Sequence, residues 1–196
     1  MMLIISPLYV NDAQLSSVTK FLLDEIKKKD IITVLHSQNV GYYMKKFCPL
    51  LGYDEKLCYT IGLLHDVGKI KVDDNILLKK DKLTSKEFKI MKKHVIYSAE
   101  ILREHNYDKR IIEAVLYHHE RFDGSGYLEG LKGKEIPELS RILAIIDSFD
   151  ALSSFRLYRE PVPYLEALTI IERDIEKYDR HYFRLFKNFI KNWIGK

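Results

Sequence analysis

Seven side chains that can bind metal ions interrupt apolar stretches of this 196-residue chain. Imidazole and carboxylate groups are costly to bury unless they are paired or hold a metal ion. The clearest pair is His65-Asp66, because it directly follows the apolar residues Leu63 and Leu64. The whole set consists of His36, His65, Asp66, His94, His118, His119 and Asp147. We therefore expect these side chains to lie near the interior, where they need partners.

The residue types indicate which metal ions such a set would suit. Imidazole and carboxylate ligands together favour iron, manganese, zinc or cobalt, whereas the lack of thiolate argues against a structural zinc finger. Seven ligands are too many for one tetrahedral ion but suit two ions that share a carboxylate, an arrangement that hydrolyses phosphoesters. Each histidine taken alone could instead be a hydrogen-bonded core residue. If a helix continued through His118 and His119, one of the two would point outward.

Composition limits the other classes of function. A hydrophobic fraction of 46% and a charged fraction of 31% are ordinary for one globular domain, or one domain with a short extension. The net charge of +4, with both signs mixed along the chain, indicates no surface for a nucleic acid polymer. No apolar run is long enough for a membrane span or a signal peptide. With Cys48 and Cys58 as free thiols, we expect a cytoplasmic protein without a membrane partner.

Helical spacing of apolar residues predicts an all-α bundle of about seven or eight helices that carry these ligands. Asp54 is predicted to cap one helix, which Gly68 ends, and residues 84–87 to form a capping box. Residues 69–83 and the glycine-rich residues 120–136 are predicted to be loops. The predicted helices span about 12–29, 31–47, 54–65, 84–103, 108–119, 137–152, 163–177 and 181–194.

Two segments resemble the signatures of a known family. Residues 63–70, Leu-Leu-His-Asp-Val-Gly-Lys-Ile, are similar to the signature of the HD superfamily of metal-dependent phosphohydrolases. Residues 118–127, His-His-Glu-Arg-Phe-Asp-Gly-Ser-Gly-Tyr, resemble the second signature of its HD-GYP branch. Further matches include His36-Ser37 and residues 141–152. The resemblance implies an HD-domain helical bundle, with 1–30 as an N-terminal helical extension and 31–196 as an HD-GYP-type catalytic domain.

The resemblance also implies a reaction and a set of roles. HD-GYP proteins are phosphodiesterases for cyclic di-GMP or related cyclic dinucleotides, and two divalent transition-metal ions, iron or manganese, would hold a bridging hydroxide that attacks phosphorus. Asp66 would touch both ions, and Lys69 would lie beside the nucleophile and the phosphate. The first ion would be bound by His36, His65, Asp66 and Asp147, and the second by Asp66, His94, His118 and His119.

Substrate contacts are implied by the same resemblance. The implied residues are Asp123, Gly124, Gly126, Tyr127, Arg156 and Arg159. The first four would form a loop over the substrate, in which Tyr127 could stack on a base, and the two arginines would contact phosphate. The loop at residues 123–133 could also bind a protein partner. The resemblance leaves the oligomeric state open.

The chain departs from the family pattern at two informative positions. Leu128 stands where the branch has the proline of its Gly-Tyr-Pro motif, and we expect leucine to take the same extended conformation with less rigidity. Ile32 stands where some members carry a glutamate that holds a third metal ion, so two ions are expected here.

Two alternative functions stay open at this point. The chain could be another nucleotide phosphohydrolase of the HD superfamily, against which the long match after His119 argues. It could instead be a signalling module that binds a cyclic dinucleotide or a protein without turnover. The altered residue Leu128 favours this alternative slightly, and the complete ligand set together with Lys69 argues against it.

Overall fold

The regular elements of this computed structural model, which describes residues 15–155 and 160–195, are all helices. The all-α prediction is therefore confirmed for the described residues, which contain ten α-helices and four short 3-10 helices. The α-helices are α1 Ser17–Lys29, α2 Ile31–Phe47, α3 Glu55–Leu64, α4 Asp74–Leu77, α5 Ser85–Met91, α6 His94–Glu104, α7 Lys109–Leu116, α8 Glu138–Ser153, α9 Tyr164–Arg173 and α10 Arg180–Ile194.

The helix number exceeds the expected seven or eight for two local reasons. The helix predicted over 84–103 is divided into α5 and α6, and at the break the Met91 carbonyl accepts a hydrogen bond from the ring of His94 (2.8 Å). The short helix α4 lies in the connection predicted to be irregular. The predicted caps are correct, since Asp54 accepts from the amide of Leu57 and residues 84–87 form the capping box.

The centre of the bundle is the close crossing of α2 and α3. A Cβ atom on Gly62 would lie 2.5 Å from the Cα atom of Gly41, so the two helices meet backbone to backbone. This crossing fixes α2, which carries His36, against α3, which ends just before His65. The buried helix α8 packs against α2 and brings Asp147 to the same end of the bundle.

The first helix joins the same core. Leu22, Leu23 and Ile26 of α1 are buried, and Lys29 at its end donates a hydrogen bond to the carbonyl of Ile70 (2.8 Å). Helix α1 therefore also supports the turn that follows His65-Asp66. The predicted division of the chain at residue 30 stays a prediction.

Two further observations concern the cysteines and the apolar character of the helices. Cys48 and Cys58 are both free and buried, which confirms the prediction of two thiols. Within the described ranges, no helix combines the length and the apolar character that crossing a membrane requires.

Candidate metal centre

The fold brings all seven predicted ligands together at one end of the bundle. Asp66 lies in the middle, with its Oδ1 3.2 Å from His94 Nε2 and its Oδ2 3.4 Å from His65 Nε2. On one side, His36 Nε2 lies 2.9 Å from Asp147 Oδ1. Three groups have their ligand atoms within 4.8 Å of one another: His36 with His65 and Asp147, His94 with His118 and His119, and His65 with Asp66 and His118. Asp66 thus links two separate groups of ligands.

Three of the histidines share an arrangement that leaves one ring nitrogen available. The Nδ1 atoms of His65, His94 and His118 lie 2.7, 2.8 and 2.6 Å from the backbone carbonyl three residues earlier. A carbonyl only accepts, so each Nδ1 must carry the proton and each Nε2 holds a lone pair in the neutral ring. These three Nε2 atoms are buried and have no hydrogen-bond partner.

The available lone pairs face other acceptors, which tests whether metal ions fit. An ionised carboxylate and an unprotonated Nε2 both carry lone pairs, so Asp66 and its neighbours His65 and His94 repel one another as they stand. A cation between them removes this repulsion and satisfies the buried atoms. The donor set therefore fits divalent transition-metal ions.

The ionisation of the cluster agrees with this fit. Burial lowers the pKa of His94 and of His118 to about 4, so both rings are neutral at pH 7, as ligation requires. Burial opposes the charge of Asp66, but the Lys69 ammonium and the neighbouring histidines hold the pKa of its carboxyl well below the ordinary value. The side chain of Asp66 is therefore an anion at neutral pH, at the centre of the cluster.

A carboxylate that the sequence interpretation missed orients the remaining ring, His36. Asp150 Oδ2 lies 2.6 Å from His36 Nδ1, and its other oxygen accepts from the hydroxyl of Ser154 (2.6 Å). A carboxylate behind a ligating histidine fixes the tautomer and makes the ring a better donor to a metal. The available signal was its position one helical turn after Asp147 on α8.

Both adjacent histidines reach the cluster because the helix ends before them. Helix α7 stops at Leu116, three residues short of the predicted end, and His118 and His119 lie in the following turn. The His118 ring lies 5.2 Å from that of His65, and the His119 ring lies 5.1 Å from that of His94, measured between centroids. The expectation that one of them would point outward is therefore wrong.

The turn after Asp66 places Lys69 and admits helix α6. A 3-10 helix over Val67–Lys71 turns Lys69 back, so that its Nζ lies 2.6 Å from Asp66 Oδ2. Gly68 lies inside this turn and does not end α3, which corrects the sequence prediction. A Cβ atom there would overlap the backbone of His94 and Ser98, so glycine is needed for α6 to approach.

The predicted substrate loop folds back over the second group of ligands. Gly126 packs so closely on the backbone of Glu120 and Arg121 that a Cβ atom would overlap it. The next residue, Tyr127, stacks on the ring of His119 with centroids 5.0 Å apart and planes 27° apart. Asp123 accepts from the amide of Ser125, and Gly124 has φ +85°, so both shape the outer turn of the loop.

Glu120 is a second residue whose role the sequence interpretation missed. Its side chain is 2% exposed, and Oε1 accepts from the amides of Glu129 (2.8 Å) and Gly130 (3.0 Å). The carboxylate therefore closes the loop by joining its far end to the residue that follows His119. A charged residue directly after two ligands was the only local signal.

Leu128 does not take the conformation expected for it. Its φ is +127°, whereas proline requires a value near −65° and leucine rarely adopts positive values. The reversal of the chain here carries the amides of Glu129 and Gly130 back to the Glu120 carboxylate. The loop is therefore strained at Leu128 and differs from one in which proline could stand.

Arg156 and Arg159 lie outside the described residues. Ile32 lies one turn before His36 on α2, where its apolar side chain offers no ligand.

Comparison with known proteins gives a consistent picture. The family model described as HD domain matches residues 20–182. A cyclic di-GMP phosphodiesterase of Thermotoga maritima is 42% identical over 149 residues, which cover 74% of this chain and 40% of that protein. A 3'3'-cGAMP-specific phosphodiesterase of Vibrio cholerae is 40% identical over 148 residues, covering 71% and 28%. The chain thus spans well under half the length of these relatives.

The fold is also that of a solved structure. An HDG"Y"P protein from Bdellovibrio bacteriovorus superposes with a TM-score of 0.66 and 21% identity, covering 89% of this chain and 61% of that one. At this identity the likeness concerns the fold, and it agrees with the predicted HD-type bundle. With its family model matching most of its length, this chain belongs to the HD domain family.

Proposed function

We propose that this chain hydrolyses a cyclic dinucleotide, with cyclic di-GMP as the main substrate, at a centre of two metal ions. The observation that carries the proposal is the meeting of buried, unprotonated Nε2 atoms with the Asp66 carboxylate, which needs cations. The names of the relatives, phosphodiesterases for cyclic di-GMP and 3'3'-cGAMP, support the choice of substrate class.

We propose iron or manganese as the ions, because nitrogen-rich sites with carboxylates favour such transition metals. The first ion would be held by His36, His65, Asp66 and Asp147, and the second by Asp66, His94, His118 and His119. When bound, such ions polarise a phosphodiester and lower the pKa of water.

The protein's own residues would orient the substrate and balance its charge. The Lys69 ammonium, 2.6 Å from Asp66 Oδ2 and partly exposed, lies where it can stabilise negative charge that develops on the phosphoryl oxygens. Tyr127, half-buried above His119, would border the base. Asp123, Gly124 and Gly126 would shape the loop around it.

We also propose a domain division, further contacts and a cellular setting for this chain. Residues 1–30 would be a helical extension of the catalytic domain over 31–196, Arg156 and Arg159 would contact phosphate, and the 123–133 loop would offer a docking site for a protein partner. The two thiols, Cys48 and Cys58, support a reducing, cytoplasmic setting.

The test is turnover of cyclic di-GMP by protein purified without oxygen and loaded with iron or manganese. We expect linear dinucleotide as product. In D66N we expect activity to fall by more than the roughly 10- to 100-fold typical of changing a residue that only supports a metal ligand, because Asp66 would bind both ions. D24N changes an exposed aspartate of α1 in the same way and should keep full activity. Intact cyclic di-GMP, 3'3'-cGAMP and cyclic di-AMP after incubation with the loaded wild type would refute the proposal.

The strained loop favours one second candidate, a cyclic dinucleotide receptor without turnover. Leu128 at φ +127° gives the loop a shape that proline could not take, so the catalytic pose of the substrate could be lost while binding persists. Calorimetry separates the two functions, since a receptor would bind cyclic di-GMP and release it unchanged.

A further inference from the structure

A lysine lies at the rim of the ligand cluster in a position that no motif marks. Lys92 directly follows α5, and its Nζ lies 4.7 Å from the centroid of the Tyr127 ring. Tyr127 in turn stacks on the predicted ligand His119. The ammonium is therefore one aromatic ring away from the second group of ligands.

Two aromatic rings contact this ammonium. Its Nζ also lies 4.9 Å from the centroid of the Phe88 ring. Within the described ranges, no acidic oxygen comes within 4.0 Å of Lys92, whereas Lys69 is paired with Asp66 at 2.6 Å. Aromatic faces attract a cation but leave its charge available to an anion. Lys92 thus offers a full positive charge at the mouth of the site.

The proposed substrate has a matching second charge. A cyclic dinucleotide carries two phosphodiester groups in one ring, so when one is at the ligand cluster the other must remain close to its rim. A substrate with a single phosphodiester has no such group. A cation at the rim can therefore distinguish the two kinds of substrate by charge.

We propose that Lys92 binds the second phosphate of the cyclic dinucleotide and thereby contributes to substrate specificity, an inference that rests on the proposed function. The charge of the Lys92 ammonium, and not only the packing of the Lys92 methylene chain, would provide the affinity for the second phosphate. Phe88 and Tyr127 would hold the ammonium in place before the substrate arrives, which reduces the entropy lost on binding.

The test compares the affinities of K92Q, K92R and K89Q for a non-hydrolysable bisphosphorothioate analogue of cyclic di-GMP, by calorimetry on metal-loaded protein. Lys89 is an exposed lysine of α5, so K89Q is a matched control for the loss of one charge on this helix. We expect K92Q to weaken binding about five- to tenfold, as for one partly desolvated charge contact. K92R and K89Q should bind as the wild type does, and KM for bis(p-nitrophenyl) phosphate should not change in any variant.

Any other pattern of affinities or of KM would overturn the inference. Equal affinity in K92Q and the wild type would exclude a role for the charge, and equal weakening in K92R and K92Q would indicate packing alone. A parallel rise of KM for bis(p-nitrophenyl) phosphate would indicate a disturbed ligand cluster, and a wild type that does not bind the analogue would refute the inference directly. If the wild type binds the analogue but leaves natural cyclic di-GMP intact, the proposed function fails while the affinities still decide the role of Lys92.

Discussion

At the scale of single residues, the apolar surroundings of the histidines keep their rings in the form that could bind a metal ion. Burial lowers the pKa of His94 and His118 to about 4, and a backbone carbonyl holds the proton of each on Nδ1. The same surroundings that would make a charged imidazole costly therefore keep a neutral one with its Nε2 free. His36 differs, because a carboxylate, Asp150, takes the place of the carbonyl.

This difference gives a prediction for D150N. An amide is a weaker acceptor than a carboxylate and can also turn its NH2 group to His36, so the ring would no longer be fixed in the ligating tautomer. We expect the metal affinity of the first group of ligands to fall by about 10- to 100-fold. The measurement is metal competition with a chelator, with D81N, an exposed aspartate, as control. Unchanged affinity in D150N would show that the contact does not orient the ring.

At the scale of elements, the end of α7 and the loop after it form one unit. Because α7 stops at Leu116, the next residues form a turn that aims both His118 and His119 at the cluster. The loop then returns over His119, and Glu120 ties its far end back to the turn. Ligand placement and loop placement thus depend on the same few residues.

The loop tie predicts a distinct phenotype for E120A. Removing the buried carboxylate leaves the amides of Glu129 and Gly130 without their acceptor, which should lower the free energy of unfolding by about 2 kcal/mol. It should also raise KM for cyclic di-GMP, because Tyr127 loses its support. Urea unfolding and steady-state kinetics measure the two effects. E120Q keeps a carbonyl acceptor and should lie between E120A and the wild type, and a variant series without this order would contradict the proposed tie.

At the scale of the whole molecule, the cluster makes the metal-free protein less stable than the metal-bound protein would be. Seven predicted ligands from five helical regions meet at one end of the bundle, and the metal-free protein must keep buried imidazoles neutral there. Metal ions that bind only the folded protein stabilise it by mass action. Stability should therefore depend strongly on both metal and pH.

The pH dependence of the metal-free protein has a definite sign. The folded pKa of His94 and of His118 is about 4, below the ordinary 6.5, so from pH 6.5 downward only the unfolded chain takes up these protons. The free energy of unfolding should fall as the pH drops from 6.5 to about 4, by up to about 3 kcal/mol per ring. Urea unfolding in EDTA at several pH values measures this slope. We expect H94Q to flatten this slope. The control H181Q changes an exposed histidine and should keep the wild-type slope. A wild-type stability that does not change with pH would contradict the prediction.

The sequence by itself determined the residue types and the helical periodicity. These were enough to predict an all-α bundle, the caps at Asp54 and Thr84, and the seven ligands, because each depends on neighbours a few positions away. The family motifs added the expectation that Lys69 lies beside the nucleophile and the phosphate.

The tertiary structure decided what depends on distant partners. His36 and Asp150 lie 114 positions apart in the chain, so their hydrogen bond exists only because α2 and α8 pack together. The end of α7 at Leu116 and the positive φ of Leu128 likewise accompany the closing of the loop by Glu120, a contact between residues nine or ten positions apart. Lys92 reaches the rim at the break between α5 and α6, which the helix predicted over 84–103 did not contain.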